Sequence, residues 1–188
     1  MDVMQAIYAR TSVTAFRPEV PDRDVVMKLL DAAVRAPNHR LTEPWGFYVL
    51  GESSKRRFAE LRRNNRARRF EDPKAAEAQP ALEKAYAGVM ETPVIIAVST
   101  LVADDPVQRE EDYAATFCAV QNILLAAVSQ ALGTYLRTGD ILDEPELAEL
   151  LGLPAGHRVV GIVYMGYPAE EPKPRRRTPA ADRTHWLS

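Results

Sequence analysis

The sequence predicts an α+β domain in which helices flank one central sheet. Three observations predict it: four short apolar segments typical of strands, about six segments with apolar residues at helical spacing, and a mixed order of the two kinds along the chain. The 188 residues, of which 46% are hydrophobic and 27% charged, suit one domain or two small ones. Such a composition excludes a wholly disordered chain.

The first two helices have clear start and stop signals. Asp2 caps a helix that ends near Arg10, before a run of hydroxyl-bearing and β-branched residues. The apolar side of this helix consists of Val3, Met4, Ile7 and Tyr8. Pro21 and Asp22 open a second helix, which carries apolar residues at helical spacing and stops at Pro37.

A strand and two helices are predicted next. Residues 45–50 (WGFYVL) are aromatic and β-branched and are bounded by proline and glycine, which is typical of a strand. Residues 53–70 predict a polar helix with a weak apolar side. A charged, alanine-rich stretch at residues 71–79 is expected to be mobile, and a further helix is predicted over residues 80–90.

The middle of the chain is its most apolar part. Residues 92–102 (TPVIIAVSTLV) predict a central strand that is covered on both faces. Residues 109–132 predict the longest helix, which is apolar on nearly every side and is therefore expected in a core or in an interface between subunits. Cys118 lies within this helix and is expected to be a buried structural thiol.

The last third of the chain contains two further strands and one helix. Gly133 ends the long helix, and residues 134–136 start a strand. Asp143 is predicted to cap a short helix that runs through Leu151. Residues 158–167 (RVVGIVYMGY) form the last clear strand, beyond which the chain is rich in proline, arginine and lysine and shows no periodicity.

Composition and charge exclude several classes of function. A net charge of −2 argues against a dedicated nucleic-acid binder, which usually needs a clear cationic excess. The single cysteine excludes an intramolecular disulfide framework, and the three histidines lack the spacing of metal ligands. We recognise neither a secretory signal nor a membrane-spanning run, so a soluble, cytoplasmic protein is expected.

Three turns combine arginine with hydroxyl or amide groups and form the candidate site. The first turn is Arg10-Thr11-Ser12, which suits a phosphate because a guanidinium offers a forked cationic donor and hydroxyls add short donors. The second turn, residues 35–40, places two cations, an amide and an imidazole between a helix and a strand. The third turn, residues 136–140, again joins arginine, a hydroxyl and glycine. Each turn alone is more often structural, but three that converge would suit one anionic, partly apolar ligand.

An ordered set of segments relates the chain to a known family. Residues 6–16 (AIYARTSVTAF) match an "RRS" segment, and residues 32–49 (AAVRAPNHRLTEPWGFYV) match an "A-x-x-A-P-(S/N/D)…PW-x-F-x-V" segment. Thr92-Pro93, the alanine-rich helix, a Gly-x-x-x-Arg-(Ser/Thr)-Gly turn and a Val-Val-Gly-x-x-x-x-Gly-Tyr-Pro strand follow in order. Over almost its whole length the chain resembles the FMN-dependent nitroreductase family, in the form found in its small, single-domain bacterial members.

The resemblance implies a three-layer α+β domain over residues 1–168, with a central mixed or antiparallel sheet flanked by helices. It implies an extended tail over residues 169–188, which is a candidate to wrap over a partner subunit. It also implies a homodimer with one FMN in each of two sites at the subunit interface. The residues that match flavin contacts are Arg10, Thr11, Ser12, Arg35, His39, Leu136, Arg137, Thr138 and Arg177.

The resemblance assigns these residues separate roles. The first turn matches the segment that holds the FMN phosphate and ribityl chain, and Arg35 and His39 match flavin contacts of the small members. The backbone of the third turn matches the part that reaches the ring system. Arg177 has the register of a tail residue that contacts the phosphate, and the alternative is a solvated basic tail.

Two positions depart from the family pattern. Many members carry a second arginine where this chain has Thr11, and a lysine or arginine where it has Thr14. A basic residue there stabilises the anionic reduced flavin, so its loss is expected to alter the flavin potential. Arg35 is a candidate to replace the missing cation.

The activity that the resemblance implies is an NAD(P)H-dependent FMN oxidoreductase. In its ping-pong cycle NAD(P)H delivers hydride to flavin N5, and a nitroaromatic, quinone or enone acceptor then takes the electrons, so that no catalytic side chain is required. Trp45 and residues 62–86 are candidates to line the pocket, whereas Glu111 faces the site or forms a surface salt bridge.

Three alternatives stay open beside this activity. The first alternative is a non-catalytic protein that stores or senses flavin. The second is a relative that fragments its flavin or removes halogen from a substrate. RNA contact through the arginines of residues 62–69 is disfavoured, because acidic residues flank them and the net charge is negative.

Overall fold

Four strands lie at the centre of the protein, whose computed structural model describes residues 1–173 and 175–187. They are β1 (Trp45–Val49), β2 (Val94–Leu101), β3 (Gly133–Arg137) and β4 (His157–Gly166). Their order in space is β1, β2, β4, β3, and each neighbouring pair is antiparallel. The sheet is therefore antiparallel, and β1 and β3 are its edge strands. Pro174 and Ser188, two residues of the predicted tail, lie outside the described residues.

Six helices cover the two faces of this sheet. They are α1 (Val3–Ala9), α2 (Arg23–Ala33), α3 (Glu52–Ala67), α4 (Gln79–Met90), α5 (Pro106–Ser129) and α6 (Pro145–Leu151). Helices α2 and α5 pack on one face, with α1 against α5, and α3, α4 and α6 pack on the other. The predicted three-layer α+β architecture is confirmed. In the part of the chain that the structure describes, none of the helices has the length and apolar character needed to cross a bilayer.

The central strand β2 supplies side chains to both halves of the core. Val94, Ile96 and Val98 pack with α2 and α5, whereas Ile95 and Ala97 pack with the helices of the opposite face. All of them are at most 6% exposed. The sequence prediction of a strand covered on both faces is confirmed, since side chains that alternate along a strand must be apolar on both sides when both faces are covered.

Two predicted helix starts were wrong for the same reason. Helix α5 begins at Pro106, three residues before the predicted Arg109, and its cap is Asp105, whose side chain accepts from the Val107 N–H. Helix α6 begins at Pro145 after Glu144, so that the predicted cap Asp143 instead ends a 3₁₀ turn. Proline in the first helical position needs no hydrogen-bond partner and has a helical φ already, so it sets the start of both helices.

Helix α1 begins after Asp2 as predicted, with reciprocal hydrogen bonds between Asp2 and Gln5. Its apolar side, however, is exposed in the isolated chain: Val3, Met4, Ile7 and Tyr8 are 72%, 53%, 43% and 74% accessible, and only Ala6 is buried.

The expectation that Cys118 is buried was also wrong, because α5 buries only one stripe of its surface and Cys118 lies outside it. The apolar face that the sequence predicts is thus only partly covered within one chain.

Candidate functional site

The first turn is fastened to the edge strand β3. Arg10 is the half-buried residue that ends α1, Thr11 is buried, and Ser12 is exposed. Ser12 forms a parallel bridge with Thr134, and the next amide, of Val13, donates to the Thr134 carbonyl at 2.9 Å. A Cβ on Gly133 would lie 2.8 Å from Val13, so only glycine allows this approach.

The third turn lies at the opposite end of the same strand. β3 pairs with β4 on one side, and on its other side Ser12 is the residue that forms a β-bridge with it among the described residues. The Thr134 carbonyl faces this outer side, so the backbone groups of Leu136, two residues later, face it too and have no strand partner there, whereas those of Arg137 face β4. An edge strand with free N–H and C=O groups is suited to hydrogen-bond a flat, polar ligand.

The side chain of Arg137 leaves this edge for the layer of α3 and α4. Its guanidinium lies 4.9 Å from the ring centres of both Tyr135 and Tyr164, a separation typical of cation–π contacts. Leu136 points to the other face, where it packs against the core beside α5. At the edge of β3, the third turn therefore offers backbone groups to a ligand, and the Arg137 guanidinium lies elsewhere.

The second turn and the residues that follow it as far as Glu43, together called the strained turn, carry a run of unusual backbone conformations. Arg40, Leu41 and Glu43 have φ angles of 58°, 53° and 43°, in the left-handed region that L residues other than Asn and Asp rarely adopt. Residues held in this region cluster at ligand sites, where the surrounding structure maintains the strain. The Asn38 side chain helps to hold the turn, because its Oδ1 accepts from the Glu43 amide at 3.0 Å.

Helix α5 fixes this strained turn at two points. His39 Nδ1 lies 2.7 Å from Glu111 Oε2, so the ring N–H can donate to the carboxylate. The Thr42 hydroxyl donates to Asp112 Oδ1 at 2.6 Å, and Asp112 is only 2% exposed. Glu111 is thus the partner of His39, and both side chains remain partly accessible.

Arg35, two residues after the end of α2, is exposed and lies beside the second half of α5. It borders a cavity of about 410 Å³ between α1 and α5, which Asn122 and Leu125 also line. A second cavity, of about 460 Å³, lies beside the first turn and is bordered by Thr11, Thr134 and Pro168.

One chain therefore brings only some of the predicted residues together. The first and third turns share β3, whereas Arg35 and His39 lie along α5 on one face of the sheet. Arg177 is exposed, and its side chain contacts the Arg176 carbonyl at 3.4 Å. The convergence of all three turns on one ligand stays a prediction.

Sequence reasoning missed Thr42 and Asp112. The pair is separated by 70 residues, so no local pattern joins them. The signal available was weak: Asp112 is an acidic residue on the core-facing stripe of α5, where only a buried partner makes a carboxylate acceptable. Trp45, a predicted pocket residue, packs partly buried against the core of the α2 and α5 layer.

Comparison with known proteins shows which proteins the chain resembles. The profile of the Nitroreductase family matches residues 7–167. The chain is 32% identical to "Putative NAD(P)H nitroreductase YfhC" of Bacillus subtilis, over 94% of this chain and 90% of the relative. A crystal structure of a nitroreductase-like family protein from Bacillus cereus is 31% identical and superposes with a TM-score of 0.83, covering 100% of this chain and 96% of that one.

Two more distant structures share the fold. An iodotyrosine deiodinase bound to FMN and 3-iodo-L-tyrosine superposes with a TM-score of 0.75 at 21% identity, over 95% of this chain and 96% of that one. The NADPH:FMN oxidoreductase of Vibrio harveyi, complexed with NAD+, superposes with a TM-score of 0.76 at 19% identity, over 99% and 77%. At these identities the likeness concerns the fold alone.

Proposed function

The chain belongs to the nitroreductase family, and from this premise we propose that it is an FMN-dependent NAD(P)H oxidoreductase. The proposed acceptors are nitroaromatic, quinone or enone compounds. One observation carries the proposal: the Arg10-Thr11-Ser12 turn is held against an edge strand whose outer side, at Leu136, has no strand partner in the described chain. The name of the Bacillus subtilis relative supports the donor, and the names of the two distant structures support the flavin.

The residues present fit FMN. The Arg10 guanidinium and the Ser12 hydroxyl are donors suited to the phosphate and the ribityl chain. The free backbone groups of the third turn suit the polar edge of the ring system. The strained second turn, with His39 held by Glu111, would supply a further contact from the partner subunit, because in one chain it lies along α5 rather than on β3.

The role of the protein in this chemistry is to bind and orient. When bound, FMN would supply the hydride-accepting N5 and the electrons for the acceptor. Thr11 is buried and anchors the first turn, so that Arg10 and Ser12 are presented at its surface. Thr14, where a basic residue is common in the family, is exposed, and we expect its neutral side chain to leave a reduced flavin less stabilised.

We propose that the protein works as a homodimer. The apolar side of α1 is exposed, as is Cys118 on α5, and exposed apolar surface of this kind marks protein interfaces. Trp186 and Leu187 in the tail are 93% and 94% exposed, and they are candidates to pack on the partner. In the proposed twofold dimer, the second turn of one subunit would lie near the first turn of the other.

The test is anaerobic reduction of the purified protein after incubation with FMN. The proposal predicts a yellow protein that NADH or NADPH bleaches and that a nitroaromatic, quinone or enone compound then recolours. A yellow protein that neither pyridine nucleotide bleaches would instead indicate flavin storage or sensing. Release of halide from a halogenated aromatic, or destruction of the flavin during turnover, would indicate the dehalogenating or flavin-fragmenting alternative.

A further inference from the structure

A basic cavity lies on the α3 and α4 face of the sheet. It has a volume of about 300 Å³, and its polar lining consists of Arg62, Arg66, Lys84, Arg137 and Tyr164. Helices α3 and α4 provide the first three of these side chains, and strands β3 and β4 provide the other two. No acidic residue lines the cavity within the described part of the chain.

The charges around the cavity are divided unequally between paired and unpaired arginines. Five of the eight residues at positions 62–69 are arginines. Arg63 pairs with Glu83, Arg68 with Glu144 and Arg69 with Asp140, so the neighbouring carboxylates are already occupied. Arg62 and Arg66 form no ion pair in the described chain, and these are the two that line the cavity. A solvated arginine-rich helix face would not be expected to sort its charges in this way.

Two guanidinium groups also have buried donors without acceptors. The Nε atoms of Arg62 and Arg137 are inaccessible and have no hydrogen-bond partner among the described residues. A buried donor left unpaired is destabilising, and more so when the group is charged. Burial lowers the pKa of the Arg62 guanidinium, and among its neighbours Tyr164 and Asp140 oppose this effect whereas Arg137 adds to it. Burial likewise raises the pKa of Tyr164, so that its phenol stays a neutral O–H donor.

We propose that this cavity binds the phosphate or carboxylate group of a small molecule. Guanidinium forks bind such groups in bidentate fashion, a lysine at the rim adds a point charge, and the volume lies at the small end of ligand pockets. The anionic group belongs either to the electron acceptor or to a separate small anion. Only the first of these sources rests on the proposed function, through Arg137, which joins the cavity to the third turn.

Calorimetric titration with inorganic pyrophosphate tests the site on the purified protein. We expect wild type to bind pyrophosphate and Arg62→Gln to bind it at least tenfold more weakly, since a charge-assisted contact of about 1.5–3 kcal/mol is lost. Arg63→Gln is the matched control, because it removes the same charge from the same helix at a residue already paired with Glu83. Its affinity for pyrophosphate should stay within threefold of wild type. Equal weakening by both variants, or no binding by wild type at about 10 mM, would overturn the proposal.

Two further variants keep the test decisive. Lys84 is exposed at the rim, so Lys84→Gln is expected to fold and to weaken binding severalfold even where Arg62→Gln does not fold. Arg10→Gln separates this cavity from the first turn. Pyrophosphate binding that is lost in Arg10→Gln but kept in Arg62→Gln would place the anion at the first turn and refute the assignment.

Inhibition kinetics distinguish the two sources of the anion. If the acceptor carries it, pyrophosphate should compete with para-nitrobenzoate but not with its uncharged methyl ester. If a separate anion occupies the cavity, pyrophosphate should bind without competing with either compound. Both results support the site, and steady turnover of the ester with no pyrophosphate binding would overturn the site while leaving the proposed function intact.

Discussion

Replacing Thr42 by valine tests how the strained turn is held. Valine keeps the shape of threonine but lacks the hydroxyl that donates to Asp112 at 2.6 Å. The other carboxylate oxygen of Asp112 is buried and has no partner in the described part of the chain. The variant would therefore leave a side chain that is 2% exposed without any side-chain donor on its carboxylate.

The expected cost follows from this geometry. A hydrogen bond to a charged group contributes about 1.5–3 kcal/mol, and an acceptor left unpaired in a buried place forfeits all of it. For a domain of this size, each kcal/mol lowers Tm by about 2–4 °C, so we expect a fall of about 3–12 °C. The free energy of unfolding should fall by the same 1.5–3 kcal/mol, at roughly constant denaturant dependence.

Urea denaturation followed by circular dichroism measures this cost, with Thr42→Ser as the control that retains the hydroxyl. A double-mutant cycle with Asp112→Ala isolates the pair, because Thr42→Val should cost much less once the carboxylate is absent. If Thr42→Val is as stable as the parent within about 0.5 kcal/mol, or equally destabilising in both backgrounds, the hydrogen bond does not hold the turn.

Three further predictions concern the first turn, helix α4 and the basic cavity. Arg10→Ala removes the proposed phosphate contact, worth about 1.5–3 kcal/mol, and should weaken FMN binding at least tenfold in a fluorescence titration; unchanged affinity would exclude this role. Gly88→Ala should raise the free energy of unfolding by about 0.5–1 kcal/mol, because Gly88 lies inside α4 and an added Cβ meets no atom within 4 Å; a loss of stability would contradict it. Burial raises the pKa of Tyr164, so the folded state favours the neutral phenol, and this contribution to stability is lost as the pH rises above about 10. Urea denaturation at neutral and at alkaline pH should therefore show a smaller loss of stability for Tyr164→Phe than for the parent.

Local signals in the sequence predict the elements of this fold well. The strand predicted at residues 45–50 and the helix predicted at 80–90 each agree with the structure within one residue at either end, because prolines and glycines mark the boundaries. The misplaced starts of α5, predicted too late, and of α6, predicted one residue too early, show the complementary case, in which a proline after an acidic residue was not recognised as a first helical position.

Arrangements that depend on residues far apart in the chain could not be predicted from the sequence. The strand order β1, β2, β4, β3 brings residues more than 60 positions apart into register, and no periodicity encodes that pairing. The face of the sheet on which the Arg137 side chain lies could have been predicted from the sequence. It lies two residues after Tyr135, so the alternation of a strand predicts that both side chains share one face.

The helix α5 shows why apolar composition does not locate an interface. The sequence predicts a helix buried on nearly every side, but periodicity cannot say which side the same chain covers and which awaits a partner. In the structure one stripe packs on the sheet and Cys118 lies on another, exposed one. The assignment of that second stripe to a dimer rests on the proposal.

Native mass spectrometry of the purified protein after incubation with FMN tests the central claim most directly, because it counts chains and flavins in the same particle. A flavin site built from the first and third turns of one subunit and the second turn of another predicts a dimer that carries two FMN molecules. A monomer that takes up no FMN, or a monomer that binds it as tightly as a dimer does, would contradict the account.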